Sequence, residues 1–491
     1  MEQKTITTSP VEAKQLESTY RVVRRSVDAR QRDIKVNLTL LTDNSGRYVA
    51  IDAPLPRYSE PEFKQVNSSA PIVHIIGCGP AGLFAALTLL EHGIKPIIYE
   101  RGKMVSERKR DIALLNRNEL FNGESNYCFG EGGAGTFSDG KLFSRSKKRG
   151  NMQRVMELFH YFGAPDTVLY EAHAHIGSDK LPRIIQNMRE CILAHGGEIH
   201  FETKIESLST FDFPLSTLIL AIGHSAHDTY RMLAREGVAM EAKGFALGVR
   251  VEHPQALINK LFYHNQPQAI VDLLGNASYS LVTQVNGHGV YSFCMCPGGH
   301  IVPAGSEASG CVVNGMSASH RNSPFANSGM VVELHPTGSA MEALDYQEQI
   351  EHLAKVHGGL NAQAPAQRMR DFVEGRLSAT LPICSYLPGL VSSRLDEWLP
   401  EPIGSCLRQG FRDFDRKYKG FLTNEAVVVG VESRSSSPVR IVRDMETMRS
   451  VSHPWLYPCG EGAGYAGGIT SSALDGINAA MKIAAEYGKL L

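Results

Sequence analysis

Neither sign of charge is in excess: Lys and Arg number 50, Asp and Glu 51, the formal net charge is −1 and charged residues make up 21% of the chain. With no global field to gather nucleic acid or an anionic lipid surface, neither partner is expected. The nine cysteines contain no CxxC…CxxC spacing, so neither structural zinc nor another metal is expected. The N-terminal MEQKTITTSPVEAK lacks both a basic n-region and an apolar h-region, so the expectation is a cytoplasmic protein with reduced thiols. There is no internal repeat and no low-complexity segment. A stretch free of Asp, Glu, Lys and Arg, 66–90, is interrupted by Gly77, Gly79, Pro80 and Gly82. It divides into strand, turn and helix, which argues for a buried βα unit and against a membrane span.

What is present is the pattern of an α/β protein. The 491 residues allow two or three domains. Residues 1–69 read as a small α/β appendage, with alternating strands at 20–25 and 34–41, and a linker at 53–70 containing Pro54, Pro56 and Pro61. From 70 to 243, apolar runs at 72–76, 95–99, 199–203 and 217–221 alternate with helical patterns at 82–92, 152–162 and 180–195. That alternation implies a doubly wound parallel sheet, here a Rossmann-type domain. From 244 to 426 short strands at 245–251, 279–285, 289–294 and 310–314 precede helices at 343–357 and 403–417, as in an inserted α+β substrate domain with a mixed sheet. Parallel-sheet character returns near Val427, and residues 427–491 close the first domain.

The chemistry begins at VHIIGCGPAGLFAALTLLEHGIKPIIYERG. Gly77, Gly79 and Gly82 make a GxGxxG after a strand and into an Ala/Leu-rich helix, with Pro80 and Ala81 at the helix start. Gly77 permits the tight turn, Gly79 lets a pyrophosphate approach the backbone, and Gly82 lets helix and sheet pack closely. Glu100, followed by Arg101, ends the next strand where a carboxylate accepts ribose hydroxyls and repels a 2′-phosphate. The site therefore suits NAD or FAD and disfavours NADP.

Two later segments favour FAD. TLILAIGHSA at 217–226 ends a strand in Ala221-x-Gly223 and resembles the short motif that glutathione-reductase-like flavoproteins place near the dinucleotide. LYPCGEGAGYAGGITSSALDG runs a strand into Gly460-Glu461 and then, through Gly467, Gly468, Ile469 and Thr470, into the final helix. In flavoproteins of that class an acid at this position holds the ribityl hydroxyls and the helix start faces the flavin pyrimidine, favouring the anionic reduced form. Glu461 stands where such motifs usually carry Asp. The loop GEGGAGTFSDGK supplies Gly132, Gly133, Ala134, Gly135, Thr136 and Lys141 as further cofactor contacts, and Ile205 is expected to line the same site.

The glycine motif, GGAGTFSDGKL, FCMCPGGHIVPAGSE, NGMSASHRNSPFANSG, VESRSSSPVRI and GEGAGYAGGITSSALDG together resemble a bacterial family of FAD-dependent dehydrogenases, generally described as uncharacterised NAD(P)/FAD-dependent oxidoreductases. The likeness runs from about Tyr20 to the end and includes SVDARQRDI. It implies a fold similar to glutathione-reductase-type flavoproteins and FAD as cofactor, without naming a substrate.

Candidate catalytic residues lie mainly in the third region. Cys294 and Cys296, two apart on a strand beside His300, are either a redox or nucleophilic thiol pair near the flavin or two small buried side chains. Within NGMSASHR, Asn314 and Ser317 offer hydrogen bonds, His320 an acid or base, and Arg321 a carboxylate clamp. Arg434, in the VESRSSSPVR segment with Glu432 and Ser436, either neutralises reduced flavin or substrate or forms a salt bridge between domains. The run 145–149, RSKKR, reads as a solvated loop. No second strand–GxGxxG–helix with a terminal acid exists, so the NAD(P) domain of glutathione reductase is not expected. The expected function is hydride transfer between a small organic substrate and flavin N5. A reductase or monooxygenase driven by transient NAD(P)H, electron exchange with a quinone or protein, and a scaffold with structural FAD remain as alternatives.

Overall fold

The computed structural model describes residues 2–54, 58–143, 150–211 and 217–488. Pro56 of the linker and the basic run at 145–149 lie outside them. A five-stranded parallel sheet runs in the order Leu456–Pro458, Thr217–Leu220, Ile72–Ile76, Lys95–Tyr99, Glu198–His200. The expected Rossmann-type architecture is thus present, with the strand ahead of the GxGxxG turn at its centre. The uncharged stretch is explained by burial: helix Pro80–Glu91 is enclosed from Ala81 through Leu90. Among the described residues no helix is long and apolar enough to cross a membrane.

The final helix, Ile469–Tyr487, crosses helix Pro80–Glu91 at backbone distance. A Cβ on Gly476 would lie 2.0 Å from the Ala81 carbonyl oxygen, and one on Gly460 would lie 2.9 Å from Ala81 Cβ. The approach is possible only because small residues face each other there.

A second, seven-stranded sheet runs in the order Val282–Val285, His288–Cys296, Phe325–Leu334, Phe245–Pro254, Val427–Glu432, Ala364–Arg368, Leu390–Ser392. Neighbours are antiparallel except for the last pair. This corrects the reading of Val427: its strand pairs with Phe245–Pro254 and Ala364–Arg368, and the chain rejoins the parallel sheet only at Leu456–Pro458. The six residues of Val427–Glu432 are all buried. A strand covered on both faces shows the same continuous apolar run in either kind of sheet, which is why the sequence misleads here.

The appendage is a three-stranded antiparallel sheet ordered Glu2–Thr8, Lys35–Thr42, Val22–Asp28, with helix Pro10–Glu17 capped by the Ser9 hydroxyl. Its own core is Ala13, Val22, Val36, Leu38 and Leu40. Arg25 ties it to the larger body through Glu171 at 3.3 Å while also holding Glu17 at 2.6 Å. The linker continues along the parallel-sheet unit, where Lys64 N donates to Leu90 O and Val66 N to His195 O.

Helix propensity alone makes Gly476→Ala stabilising by about 1 kcal/mol. The contact with Ala81 reverses that sign. Urea unfolding of Gly476→Ala should show a loss of about 1–3 kcal/mol, and a gain in stability would mean the two helices do not cross this closely.

Candidate functional site

The crevice at the carboxyl ends of the parallel strands is lined by glycines of two kinds. Gly77, at φ 104°, would place a Cβ 2.3 Å from Ala221 O, and Gly82 would place one 2.0 Å from Gly77 O. The fold itself requires these two. Gly79 is different: at φ −81° its Cβ would meet only Gly133 Cα, at 3.8 Å. Gly467 also lies outside the left-handed region, and a Cβ there would find nothing within 4 Å; the same space is open at Gly223 and Gly468. Packing does not explain glycine at 79 and 467.

Both helix starts open onto this space. Gly79 caps Pro80–Glu91 and Gly468 caps Ile469–Tyr487, neither with a side-chain hydrogen bond, so first-turn N–H groups are left for an anionic group. The GGAG loop closes the gap between them. Gly132 N donates to Cys78 O at 2.8 Å, and Gly135 would place a Cβ 3.2 Å from Ile469 Cγ1 and 3.5 Å from Pro80 Cγ. Ala134 is exposed at the tip, while Thr136 is buried and donates to Glu131 O at 2.7 Å. Thr470 Oγ1 donates to Leu142 O at 2.9 Å, fixing the end of this loop to the final helix.

The acids at the two ends of the crevice differ in what already holds them. Glu100 is buried and accepts from Cys78 N at 2.9 Å, Gly102 N at 2.9 Å and Gly130 N at 3.0 Å. A carboxylate has about four acceptor positions, so about one remains for a ribose hydroxyl. Arg101 turns away into a bidentate pair with Asp228 (2.9 and 2.8 Å) and a bond to Glu124 at 2.5 Å. It walls a cleft of about 400 Å³ shared with Phe129, Ser225, His227 and Ser306. Glu461 stands beside His224, whose Nδ1 is 3.5 Å from its Oε1. Its turn is held by Asp475, which accepts from Gly460 N at 2.8 Å and takes Arg443 in a two-point pair at 2.9 and 2.7 Å. Ala221 and Ile205 are buried, and the Ile205 side chain sits in the core cluster with Ile76, Leu220 and Tyr230.

A polar cluster in the seven-stranded sheet contains the two cysteines. Strands His288–Cys296 and Phe325–Leu334 change register between Phe293 and Cys296, so the pair does not sit on a regular strand as expected. Cys294 occupies this bulge at φ 46°, a left-handed conformation costly for a residue with a Cβ. Even so, both sulfurs reach one ammonium: Lys141 Nζ is 3.8 Å from Cys294 Sγ and 3.7 Å from Cys296 Sγ. Lys141 also lies 3.4 Å from Asp139 Oδ2, and Asp139 accepts from Arg321 (3.2 and 2.6 Å) and from the Ser317 hydroxyl. Fully buried Arg250 donates to Cys294 O at 2.8 Å, Asn327 at 2.9 Å, Asn314 at 3.3 Å and Glu432 at 3.1 Å.

The charges in this cluster shift one another. The hydrogen bond from Cys296 holds the Cys294 thiol well below its ordinary range, with Lys141 and Arg250 adding to it against the cost of burial. The same hydrogen bond, with burial, pushes Cys296 up. Burial raises Glu432 to about 7, an effect that Arg250 only partly offsets. Burial would also raise Asp139, but the Lys141 and Arg321 charges outweigh it and hold the group at about 2.

The other candidates are not brought to this cluster. His300 and His320 are exposed. Arg434 is buried in a two-point pair with Glu351, at 2.7 and 2.8 Å, and donates to Ser306 Oγ at 3.0 Å, so its charge is already matched, by a residue of the same 244–435 unit and not by a salt bridge between domains. Sequence reasoning did not single out Asp139, Arg250, His224, Arg443 or Asp475. Of these only Asp139 carried a signal, as the acid inside the glycine-rich loop. Among the described residues one trio, His227, Glu307 and Glu348, brings potential metal-ligand atoms within 4.8 Å, although His227 Nδ1 already faces Glu348 Oε1 at 2.7 Å.

Because the folded-state value for Asp139 lies below its ordinary 3.8, its contribution to stability is present above about pH 4 and is lost as pH falls toward 2. Asp139→Asn should cost about 2 kcal/mol at pH 7 and flatten the stability profile between about pH 4 and 2. An unchanged acid limb in denaturant titrations would show that Asp139 is not ionised and paired in this way.

Residues 244–435 match the family model described as FAD-dependent protein, C-terminal domain-like, and residues 4–42 match a domain of unknown function, DUF8436. An uncharacterised protein of Clostridium beijerinckii is 40% identical over 498 residues, covering 95% of this chain and 92% of its own. Solved structures resemble the chain more loosely. CtdE in complex with FAD is 10% identical over 85% of this chain and 84% of its own, with a TM-score of 0.31. NikD, an unusual amino acid oxidase, is 11% identical over 85% and 95%, with a TM-score of 0.36. The flavin-dependent halogenase CmlS is 14% identical over 86% and 59%, with a TM-score of 0.35. No chemistry is carried over from likenesses of this kind. The close relative and the domain match together place the chain in the family of FAD-dependent proteins that share this C-terminal domain, with FAD as its cofactor.

Proposed function

We propose that this protein is an oxidoreductase in which FAD lies extended along the crevice and hydride passes between a small organic substrate and flavin N5. The observation that carries the reading is the pair of open-faced glycines, Gly79 and Gly467, each beside an uncapped helix start. In this reading the pyrophosphate lies on Gly79, Pro80, Ala81 and the Gly132–Gly135 loop, where N–H groups and the helix dipole favour negative charge. Glu100 takes a ribose hydroxyl at its remaining acceptor position. Glu461 holds the ribityl chain, and Gly467 to Thr470 meet the pyrimidine edge of the flavin. That end lies beside Lys141, through the bond from Thr470 to Leu142, and so opens toward the seven-stranded sheet. Arg101, with its charge spent on Asp228 and Glu124, contributes as a wall of the adenosine end. Bound FAD supplies the hydride acceptor, and the surrounding residues orient it, exclude water and neutralise the reduced form.

The glycines provide a test that separates ligand contact from folding. Gly79→Ala and Gly467→Ala should leave unfolding free energy of the FAD-free protein within about 0.5 kcal/mol of wild type. Both should raise the FAD dissociation constant at least about tenfold, a cost of about 1.4 kcal/mol. Unaltered FAD affinity in both variants would remove the cofactor from this crevice. Anaerobic mixing of holoprotein with a panel of small reduced metabolites should bleach the flavin with at least one of them; a flavin that no organic reductant or NAD(P)H reduces would mark the cofactor as structural.

A further inference from the structure

We propose that Cys294 and Cys296 form a redox-active dithiol beside the flavin, with Cys296 the more buried of the two. The proposal rests on the placement of FAD given above. Its support is geometric. Both sulfurs lie against the single ammonium of Lys141, and the next residue, Leu142, is bonded to Thr470 at the start of the final helix. Lys141 and Leu142 thus link the thiol pair to the start of the final helix. Cys296 is fully buried, and residue Cys294 is only partly so.

Two small residues filling a core would need none of the surrounding apparatus. The bulge and the left-handed backbone at Cys294 depart from a regular strand, and such departures concentrate at functional positions. Arg250 holds the distorted carbonyl and lies 3.5 Å from Cys296 Sγ. All other cysteines are pushed up by burial or, for Cys296, by its bond to Cys294 and burial together; Cys294 alone among the nine is drawn down. A thiolate next to a thiol that can release its proton is the arrangement from which a disulfide forms.

The balance is simple. In the oxidising direction one S–S bond forms between the two Sγ atoms and the Cys296 S–H bond breaks. The electron pair and that proton pass to FAD, which becomes FADH⁻, so the negative charge moves from the thiolate to the reduced flavin. The reverse reaction reduces the disulfide. A disulfide between residues two apart closes a small, strained ring and is correspondingly easy to reduce.

Anaerobic dithionite titration of oxidised holoprotein should take up four electrons per FAD in the wild type and two in Cys296→Ser. The digest peptide spanning 288–303 should be lighter by two hydrogens before reduction and carry two iodoacetamide labels after it. Lys141→Met should raise the pH midpoint of Cys294 alkylation. Two electrons per FAD in the wild type, or both thiols open to alkylation in the oxidised protein, would overturn the proposal. FAD content, read from visible absorbance beforehand, tests the cofactor placement separately. The mass measurement decides on the disulfide at any FAD content.

Discussion

The arrangement of this molecule depends on one backbone contact, the crossing of helices Pro80–Glu91 and Ile469–Tyr487 at Ala81 and Gly476. A larger side chain at Gly476 or Gly460 would push apart the two helix starts, whose uncapped N–H groups open onto the same crevice. The starts come from opposite ends of the chain, yet Gly135 lies within a few ångströms of both Pro80 and Ile469. An extended dinucleotide is long enough to need two positive ends in line, one for its phosphates and one for its flavin. The small residues at the crossing set their spacing.

Buried charge is organised around the same constraint. Three guanidinium–carboxylate pairs, Arg443–Asp475, Arg434–Glu351 and Arg250–Glu432, are almost wholly enclosed. Such pairs contribute little net stability when compared with apolar side chains, because desolvation offsets the attraction, but breaking one leaves an uncompensated charge. Their value is geometric. Arg443 also donates to Pro458 O at 2.7 Å and so fixes the turn that presents Glu461. Arg434 reaches the Ser306 loop, which walls the cleft beside Arg101. Arg250 has the additional task of holding the Cys294 carbonyl in its bulge, beside a partner carboxylate that burial raises to about 7.

Local patterns were legible in the sequence and distant pairings were not. The GxGxxG turn, the helix after it and the acid ending the next strand are fixed by residues within about one βα unit, so composition and spacing suffice. The segment Glu2–Thr8 carries no strand signal of its own because EQKTITT is polar and mostly exposed; its pairing with Lys35–Thr42 makes it a strand. Val427–Glu432 was placed in the wrong sheet because burial on both faces erases the alternation that distinguishes sheet types. The polar cluster was legible only in part. Cys294, Cys296 and Lys141 stood out as cysteines and as a glycine-loop lysine, but Asp139 meets Arg321 across 182 positions, and Arg250 meets Glu432 across 182 positions. Nothing in the local pattern of GVRVE announces that its arginine is enclosed.

The cluster and the crevice share one electrostatic feature, a concentration of positive charge without an equal number of free acids. Lys141, Arg250 and Arg321 converge from three segments, and the start of the final helix adds its dipole at Thr470. Asp139 engages both Lys141 and Arg321, and Glu432 answers Arg250 incompletely. An anion is favoured beside Lys141, and in the proposed exchange the passage of the electron pair from thiolate to flavin leaves the total charge unchanged. A region built this way does not have to reorganise as electrons move, because its positive groups serve the same anion in two positions. On this argument the strained cysteine, the glycine-rich loop and the last helix belong to one device, although the chain supplies them from three separate stretches.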